Sequence, residues 1–522
     1  MENTEISNLA LDADYVQQPQ NLFEKITAPF SNTMLLESAE IDSKTGTRSL
    51  ILADAALRIS CLGRTVFSQA LTLNGMNANA QLHSLLGDTL TTTLNGRDLT
   101  IEYPLPDRDL DEDSRLRSRT VLDALRTVIR DLKCLQGQDR KLLCGCFAYD
   151  LISSFEELPQ VGLGPNDCPD FCFYLAETYI QIDHINQRTA ILGAAFQGDH
   201  DDSPRILRRM EQIREICNLD ERIYQPDPER IQGKIMLDLD DAAYGKVVED
   251  LKDHIRAGDI FQAVPSRTFA VNCPSPSQSY RRLKATNPSP YMFYMNDESF
   301  TIFGASPESS VKYSAETNTV EMYPIAGTSP RGVDAEGRIS PDLDGRMELA
   351  MRTDAKEVAE HLMLVDLARN DLARICQSGT RYVKDLLKVD RYSHVMHLVS
   401  RVVGQLRPDL DALHAYQACM NMGTLTGAPK IRAMELVRKA EKKRRGSYGG
   451  AIGHISGTGD MDTCIVIRSA FVRNQTAYVQ AGAGIVADSV PEKEAQETRN
   501  KAAAVLSAIA AAHGTTLKEL QS

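Results

Sequence analysis

The chain has 522 residues, 42% of them hydrophobic, enough for two or more domains with substantial cores. Its formal net charge of −13 and pI of about 5.4 argue against a nucleic-acid or anionic-membrane surface. No run of about 18 apolar residues is present, the acidic N-terminus MENTEISNLALDAD is unlike a secretion signal, and the 11 cysteines form no Cys-x-x-Cys, so a cytoplasmic protein with reduced thiols is expected.

Residues 30–105 read mainly as strands (MLLESAEI, RSLILAD, LRISCLG, TVFSQAL, DLTIEY) separated by polar or glycine turns. Residues 114–136 read as one amphipathic helix, because Leu116, Leu122, Leu125, Ile129 and Leu132 lie close to a helical period and Gly137 follows as a stop. A β-rich stretch runs from Leu142 to Ala195, then a charged helix from Arg205 to Cys217. Asn218 to Lys234, with Pro226, Pro228 and Gly233, is polar and turn-rich, and it divides an N-terminal region (1–220) from a C-terminal domain (235–522).

The second part restarts with a helix from Asp241 to Ala257. Ser299–Ala305, Ser310–Tyr313 and Thr319–Ile325 form a meander, and helices follow at about 354–376, 409–421 and 429–443. The last β group is GGAIGHISG, TCIVIRSAFV and TAYVQAG. Runs of strands and runs of helices, without βαβ alternation, predict an α+β fold of mostly antiparallel sheets packed with helices. The basic run KAEKKRRG reads as a helix end whose cations sit on the negative end of the dipole.

The stretch AYVQAGAGIVADSVPEKEAQETRNKA (Ala477–Ala502) reads as strand, glycine loop and helix. Glu494, Glu497 and Lys501 share one helix face, beside a loop where glycines admit close backbone approach. Backbone N–H groups, carboxylates and an ammonium suit a small anion held with a hard cation; a solvated helix with a Glu–Lys pair is the plainer reading. Gly482-x-Gly484-x-x-Ala487 mimics a dinucleotide fingerprint, but the acidic second strand expected roughly 20 residues on is missing. Arg468, on the apolar face of the strand Thr463–Val472 with Cys464, Val466, Ala470 and Val472, needs an anion: an internal carboxylate or a ligand carboxylate. Glu357 and Glu360 lie one turn apart on a largely apolar helix, and oxygen ligands without His or Cys favour Mg²⁺; surface acids are the alternative. The loops Pro324–Thr328 and Gly423–Gly427 present small residues, the latter running into a helix start. His397 is the best general base by residue type.

Several of these residues lie in YPIAGTSPRG, EHLMLVDLARNDLARI, GTLTGAPKIRAMEL, GSYGGAIGHISGTGDMDTCIVIRSA and AGAGIVADSVPEKEAQETRNKA, which in this order resemble anthranilate synthase component I, of the chorismate-utilising enzymes. The N-terminal LLESAEIDSKTG resembles that family's tryptophan-sensing segment. The resemblance implies chorismate bound with Mg²⁺ on Glu360 and Glu497. Arg468, Tyr448 and the Gly482-Ala483-Gly484 amides would hold the enolpyruvyl carboxylate, and Gly327, Thr328 and Lys501 would line the rest. Glu308 would protonate the C4 hydroxyl, His397 would take the C2 proton and Thr424 would support the substrate. Gln262 and Ala326 stand where relatives that use water or a lysine nucleophile carry Lys, so both imply amination at C2. No Gly-x-Cys-x-Gly elbow is present, so a separate glutamine amidotransferase subunit (anthranilate synthase component II) is implied, within a heterotetramer. Glu37, Ser38, Pro290, Tyr291 and Met292 would bind the effector L-tryptophan. The absence of tryptophan from the chain fits a protein made when tryptophan is scarce. A metal-dependent sensor without catalysis is the competing reading, separated from the enzyme by turnover.

Overall fold

A computed structural model describes residues 8–39, 46–105, 107, 109–218, 230–231, 233–334, 336, 338–391 and 395–521. Most of the expected boundary, residues 219–229, lies outside them. The elements that position the site are, in chain order, β1 (Thr33–Ala39), β2 (Gly46–Leu62), α1 (Leu73–Gly87), α2 (Glu112–Arg117), α3 (Leu122–Arg130), β3 (Leu142–Phe147) and β4 (Phe171–Asp183). There follow α4 (Asp241–Arg256), β5 (Gln262–Ala263), β6 (Ser266–Asn272), α5 (Pro276–Thr286), β7 (Tyr291–Asn296), β8 (Thr301–Ser306), β9 (Ser309–Ser314), β10 (Thr319–Met322), β11 (Ile325–Pro330), α6 (Pro341–Thr353) and α7 (Ala355–Ala373). The last are β12 (Val395–Gln405), α8 (Gly423–Thr426), β13 (Gly427–Ala428), α9 (Lys430–Glu441), β14 (Ala451–Ser456), β15 (Met461–Ile465), β16 (Ser469–Arg473), β17 (Thr476–Gly482) and α10 (Pro491–Ala512).

Strand pairing is antiparallel and runs β6-β17-β16-β8-β7-β1-β2-β4-β3-β14-β15-β9-β10-β12, with β11 also on β12. The α+β expectation therefore holds. The N-terminal strands β1 to β4 stand mid-order, flanked on both sides by strands from the second part. Met34, Leu52, Cys144, Phe293, Ile452, Cys464 and Phe471 form one buried apolar cluster that joins strands of both parts. α10 packs on β17, α4 and α5; its start has Pro491 in the first turn and Glu492 and Glu494 toward the positive end of the dipole. Among the described residues no helix is long and apolar enough to cross a membrane.

Four local readings are corrected. The helix expected over 114–136 is two: α2 ends at Arg117, and the Asp123 carboxylate accepts from Thr120 N at 2.7 Å to start α3. Within 30–105, expected as mainly strands, Leu73–Gly87 is the helix α1, which carries no clear apolar stripe because its buried side includes asparagines. Asn74, Asn77 and Asn79 are buried and donate to the carbonyls of Ala194, Phe196 and Ser68. α6 precedes the expected helix at 354. Finally, the single strand expected over Thr463–Val472 breaks after Ile465 and resumes at Ser469, with Arg468 at φ 48°. Arg468 therefore does not alternate with Cys464 and Val466; a left-handed kink, unfavourable for a side chain with a Cβ, points it elsewhere.

Candidate functional site

The site is assembled from turns at strand ends. Glu308 sits between β8 and β9 and is 6% exposed. Thr424 Oγ1, on α8, donates to its Oε1 at 3.0 Å. Burial pushes this carboxyl up to about 8, against the Thr424 hydrogen bond and the cations Lys501 and Arg468. At neutral pH Glu308 is thus largely protonated and able to donate a proton.

His397 on β12 shows the opposite behaviour. Burial, with Arg468 next, pushes its imidazole down to about 4, so it is neutral at pH 7. Its Nδ1 lies 3.2 Å from Gly327 O, and a carbonyl only accepts, so Nδ1 carries the proton and Nε2 the lone pair. Gly327, at the bulge of β11, has φ 82°, and a Cβ there would lie 3.2 Å from Glu357 Oε2 and from Leu398 Cδ1. Thr328 is placed opposite His397 in the strand register; its side chain lies outside the described residues.

Arg468 approaches the same space from the kink between β15 and β16. Burial lowers its pKa, opposed by Tyr448, Glu497 and Glu308. Its guanidinium has no hydrogen-bond or ion-pair partner among the described residues, which favours the ligand over the internal carboxylate. Tyr448 is buried, and burial raises its hydroxyl to about 12, with Arg445 the strongest opposing charge and a backbone hydrogen bond at Gly482 helping. Lys501 Nζ donates to Gly482 O at 2.9 Å and pairs with Glu497 at 2.6 Å. In the glycine loop, Ala483 N already donates to Pro265 O at 3.3 Å. A Cβ at Gly484 would lie 2.6 Å from Gln262 Nε2, so any larger residue there would have to displace the Gln262 side chain. Gln262 itself is 7% exposed and its Oε1 has no partner among the described residues.

Glu308, Thr424, His397, Gly327, Arg468, Tyr448, Gly482, Glu497 and Lys501 are thus linked by contacts or mutual fields. Glu360 stands one turn beyond Glu357 on α7, half-buried like Glu497. Among the described residues no group of three or more His, Cys, Asp or Glu could hold a metal. Mg²⁺ usually takes only one or two protein carboxylates, with water and substrate oxygens completing the octahedron. Glu357, one turn before Glu360 on α7, brings its Oε2 to 3.2 Å from where a Gly327 Cβ would stand, and Glu497 on α10 is paired with Lys501.

The candidate effector residues lie elsewhere. Ser38 pairs with Tyr291 and Glu37 with Met292 in the β1–β7 register, so strand alternation sends them to opposite faces. Glu37 accepts from Tyr280 OH at 2.6 Å and Lys284 Nζ at 2.5 Å on α5; Ser38 Oγ lies 2.9 Å from Thr47 Oγ1. Both line a cavity of about 640 Å³, with Arg48, Tyr291, Met292 and His454. Pro290, just before β7, is buried.

Sequence reasoning missed the Arg445–Glu441 pair behind the site. Arg445 read as one of several cations at a helix end, and its burial against Tyr149 and Tyr448 appears only in the fold. A sequence model of the chorismate binding enzymes matches residues 94–507. The chain is 55% identical to anthranilate synthase component 1 of Vibrio cholerae over 96% of this chain and 95% of that one. It is 53% identical to the protein of the same name from Escherichia coli, over 97% of both. The crystal structure of anthranilate synthase component I from Streptococcus pneumoniae superposes with a TM-score of 0.67 at 30% identity, covering 88% of this chain and 92% of that one.

Proposed function

This chain belongs to the chorismate-binding enzymes, and we propose that it is the aminating subunit of an anthranilate synthase, converting chorismate and ammonia to anthranilate and pyruvate as the first step of tryptophan biosynthesis. The observation that carries the reading is a protonated acid (Glu308, held by Thr424) and a neutral base (His397, held by Gly327 O) that both feel one guanidinium, that of Arg468, which has no hydrogen-bond or ion-pair partner among the described residues.

Arg468 takes the enolpyruvyl carboxylate as a bidentate fork, with the Tyr448 hydroxyl and the glycine-loop backbone beside it. Ala483 N is engaged by Pro265 O, and the Gly482 backbone hydrogen-bonds the Tyr448 hydroxyl. Ammonia adds at C2, both ring double bonds shift, the C4–O bond breaks, and the ammonium formed at C2 gives up a proton. Hydroxide is a poor leaving group, so Glu308 supplies the proton and water departs. The unpartnered Gln262 Oε1 is an acceptor for an ammonia N–H, and neither Gln262 nor Ala326 can act as a base or a nucleophile. His397 Nε2 then takes the C2 proton, the C3–O bond breaks and the ring becomes aromatic, and the departing enolate takes up a proton to become pyruvate. Glu360 and Glu497 would hold Mg²⁺, which would supply positive charge to neutralise the ring carboxylate.

Ammonia comes from glutamine through a separate amidotransferase subunit, since this sequence has no cysteine elbow of its own. The N-terminal region (1–220) senses tryptophan with Glu37 and Ser38, against Pro290, Tyr291 and Met292 of the C-terminal domain (235–522). The cavity has the size for an indole amino acid, with Ser38 and Tyr291 on the strand face turned toward it, while the Glu37 carboxylate is held by Tyr280 and Lys284 on the other face of β1. A cytoplasmic heterotetramer fits the pool of these metabolites. The test is turnover. Chorismate, Mg²⁺ and ammonium should give fluorescent anthranilate, chelation should stop it, and glutamine should replace ammonium only when the amidotransferase is added. Binding of chorismate without product would leave the sensor reading.

A further inference from the structure

Behind the substrate pocket lies an ion pair that the reaction does not use. Arg445 and Glu441 are each 2% exposed at the side chain. A buried pair of this kind contributes little net stability, because desolvation offsets the attraction. Its hydrogen bonds indicate another use.

Arg445 Nε donates to Glu441 Oε2 at 2.9 Å and Nη2 to Oε1 at 2.7 Å, a bidentate fork. Its remaining donors reach two other segments: Nη1 to Leu425 O at 2.7 Å, and Nη2 to Val264 O at 2.6 Å. Glu441 Oε1 also accepts from Ser266 N and Ser266 Oγ, both at 2.7 Å. Gln480 Nε2 donates onward to Ser266 Oγ at 2.7 Å. The guanidinium carbon lies 4.5 Å from the Tyr149 ring and 5.7 Å from the Tyr448 ring.

The segments so tied are those that carry the site. Leu425 follows Thr424; Val264 and Ser266 follow Gln262; Gln480 precedes Gly482; Tyr448 is three residues on. We infer that Arg445, clamped by Glu441, is the positioning residue that fixes these four segments relative to one another and so sets the distances among Thr424, Gln262, Tyr448 and the glycine loop. The inference rests on the proposed reaction for its catalytic consequence, but not for its structural one.

The test uses the full chain with both charges removed, Glu441→Met with Arg445→Met, so that no unpaired charge stays buried. The expected variant keeps a thermal midpoint within a few degrees of the unaltered chain. Its kcat at saturating chorismate and ammonia falls about 100-fold, the scale of an ångström-level misplacement, with a smaller change in KM and with release of aminated intermediate. Independently of activity, amide hydrogen exchange should quicken at residues 264–266, 425–427, 446–448 and 480–484 while β2 and β4 keep their protection. If the double variant does not fold, Arg445→Lys decides, because one ammonium cannot span Glu441, Leu425 O and Val264 O: the same exchange pattern and at least a tenfold kcat loss are expected. Unchanged exchange in these four segments overturns the inference whatever the turnover. Loss of protection there with undiminished kcat overturns its catalytic part, and an unaltered chain that makes no anthranilate counts against the reaction instead.

Discussion

Replacing Glu308 by Gln keeps the shape and the neutral form of the side chain and removes only its proton. A general acid of this kind contributes about 10²–10⁴-fold, so kcat should fall at least ~100-fold while KM for chorismate changes by less than about threefold. The same substitution has a stability consequence of opposite sign. The native carboxyl titrates near about 8 because it is buried, whereas in the unfolded chain it takes the ordinary value. Between those values the native state binds more protons than the unfolded state, so stability is full below about pH 4, declines as pH rises, and reaches its floor above about pH 8. The separation corresponds to at most ~5 kcal/mol at 1.36 kcal/mol per pH unit. Glu308→Gln carries no such cost, so it should match the unaltered chain near pH 4 and exceed it in thermal midpoint at pH 8 to 9. Anthranilate fluorescence with free ammonia held constant, and thermal denaturation from pH 4 to 9, read both effects. The unaltered enzyme should lose kcat above about pH 8. A variant retaining a tenth of the activity, or equally stable at pH 9, would refute the assignment.

The other expectations follow from the same contacts. Glu360→Gln or Glu497→Gln should abolish turnover at limiting Mg²⁺, because an anionic ligand becomes a weaker neutral one; full activity in either variant in a Mg²⁺ titration would remove that residue from the metal. Arg468→Lys should cost at least about 2 kcal/mol in kcat/KM with folding intact, since the fork becomes a point charge; an equal loss in thermal stability would point to an internal partner. His397→Ala should slow pyruvate loss more than amination, so the aminated, non-aromatic intermediate should accumulate in a product trace. In the unaltered enzyme, where His397 protonates only near about 4, this step should show no acid limb between pH 6 and 7. Ser38→Phe should leave activity near normal without tryptophan and weaken inhibition across a tryptophan titration, because the added bulk enters the cavity beside Tyr291. Unchanged sensitivity would place the effector elsewhere.

The division between what was legible in the sequence and what was not follows the range of the interactions. Helices with an apolar period and a cap, such as α4 behind Asp240 and α10 behind Pro491, were readable because their signals are local. α1 was not, because its buried side uses asparagines that satisfy distant backbone carbonyls. Alternation misplaced Arg468: the rule holds within a strand, and the chain kinks one residue before β16. The type of each site residue was readable through the motifs, yet the opposite shifts of Glu308 and His397 depend on burial that no spacing reports. Arg445 shows the same limit. Four basic residues in a row read as cations on a helix dipole, and the return of Val264, Leu425 and Tyr149 from distant parts of the chain encloses one of them.

The central claim, amination of chorismate at C2, is tested most directly by identifying the product formed from chorismate, Mg²⁺ and ¹⁵N-ammonium. Mass spectrometry should find singly ¹⁵N-labelled anthranilate and an equal amount of pyruvate. An unlabelled hydroxylated product, or an amine carried at C4, would contradict the roles given to Gln262, Ala326 and the acid–base pair around Arg468.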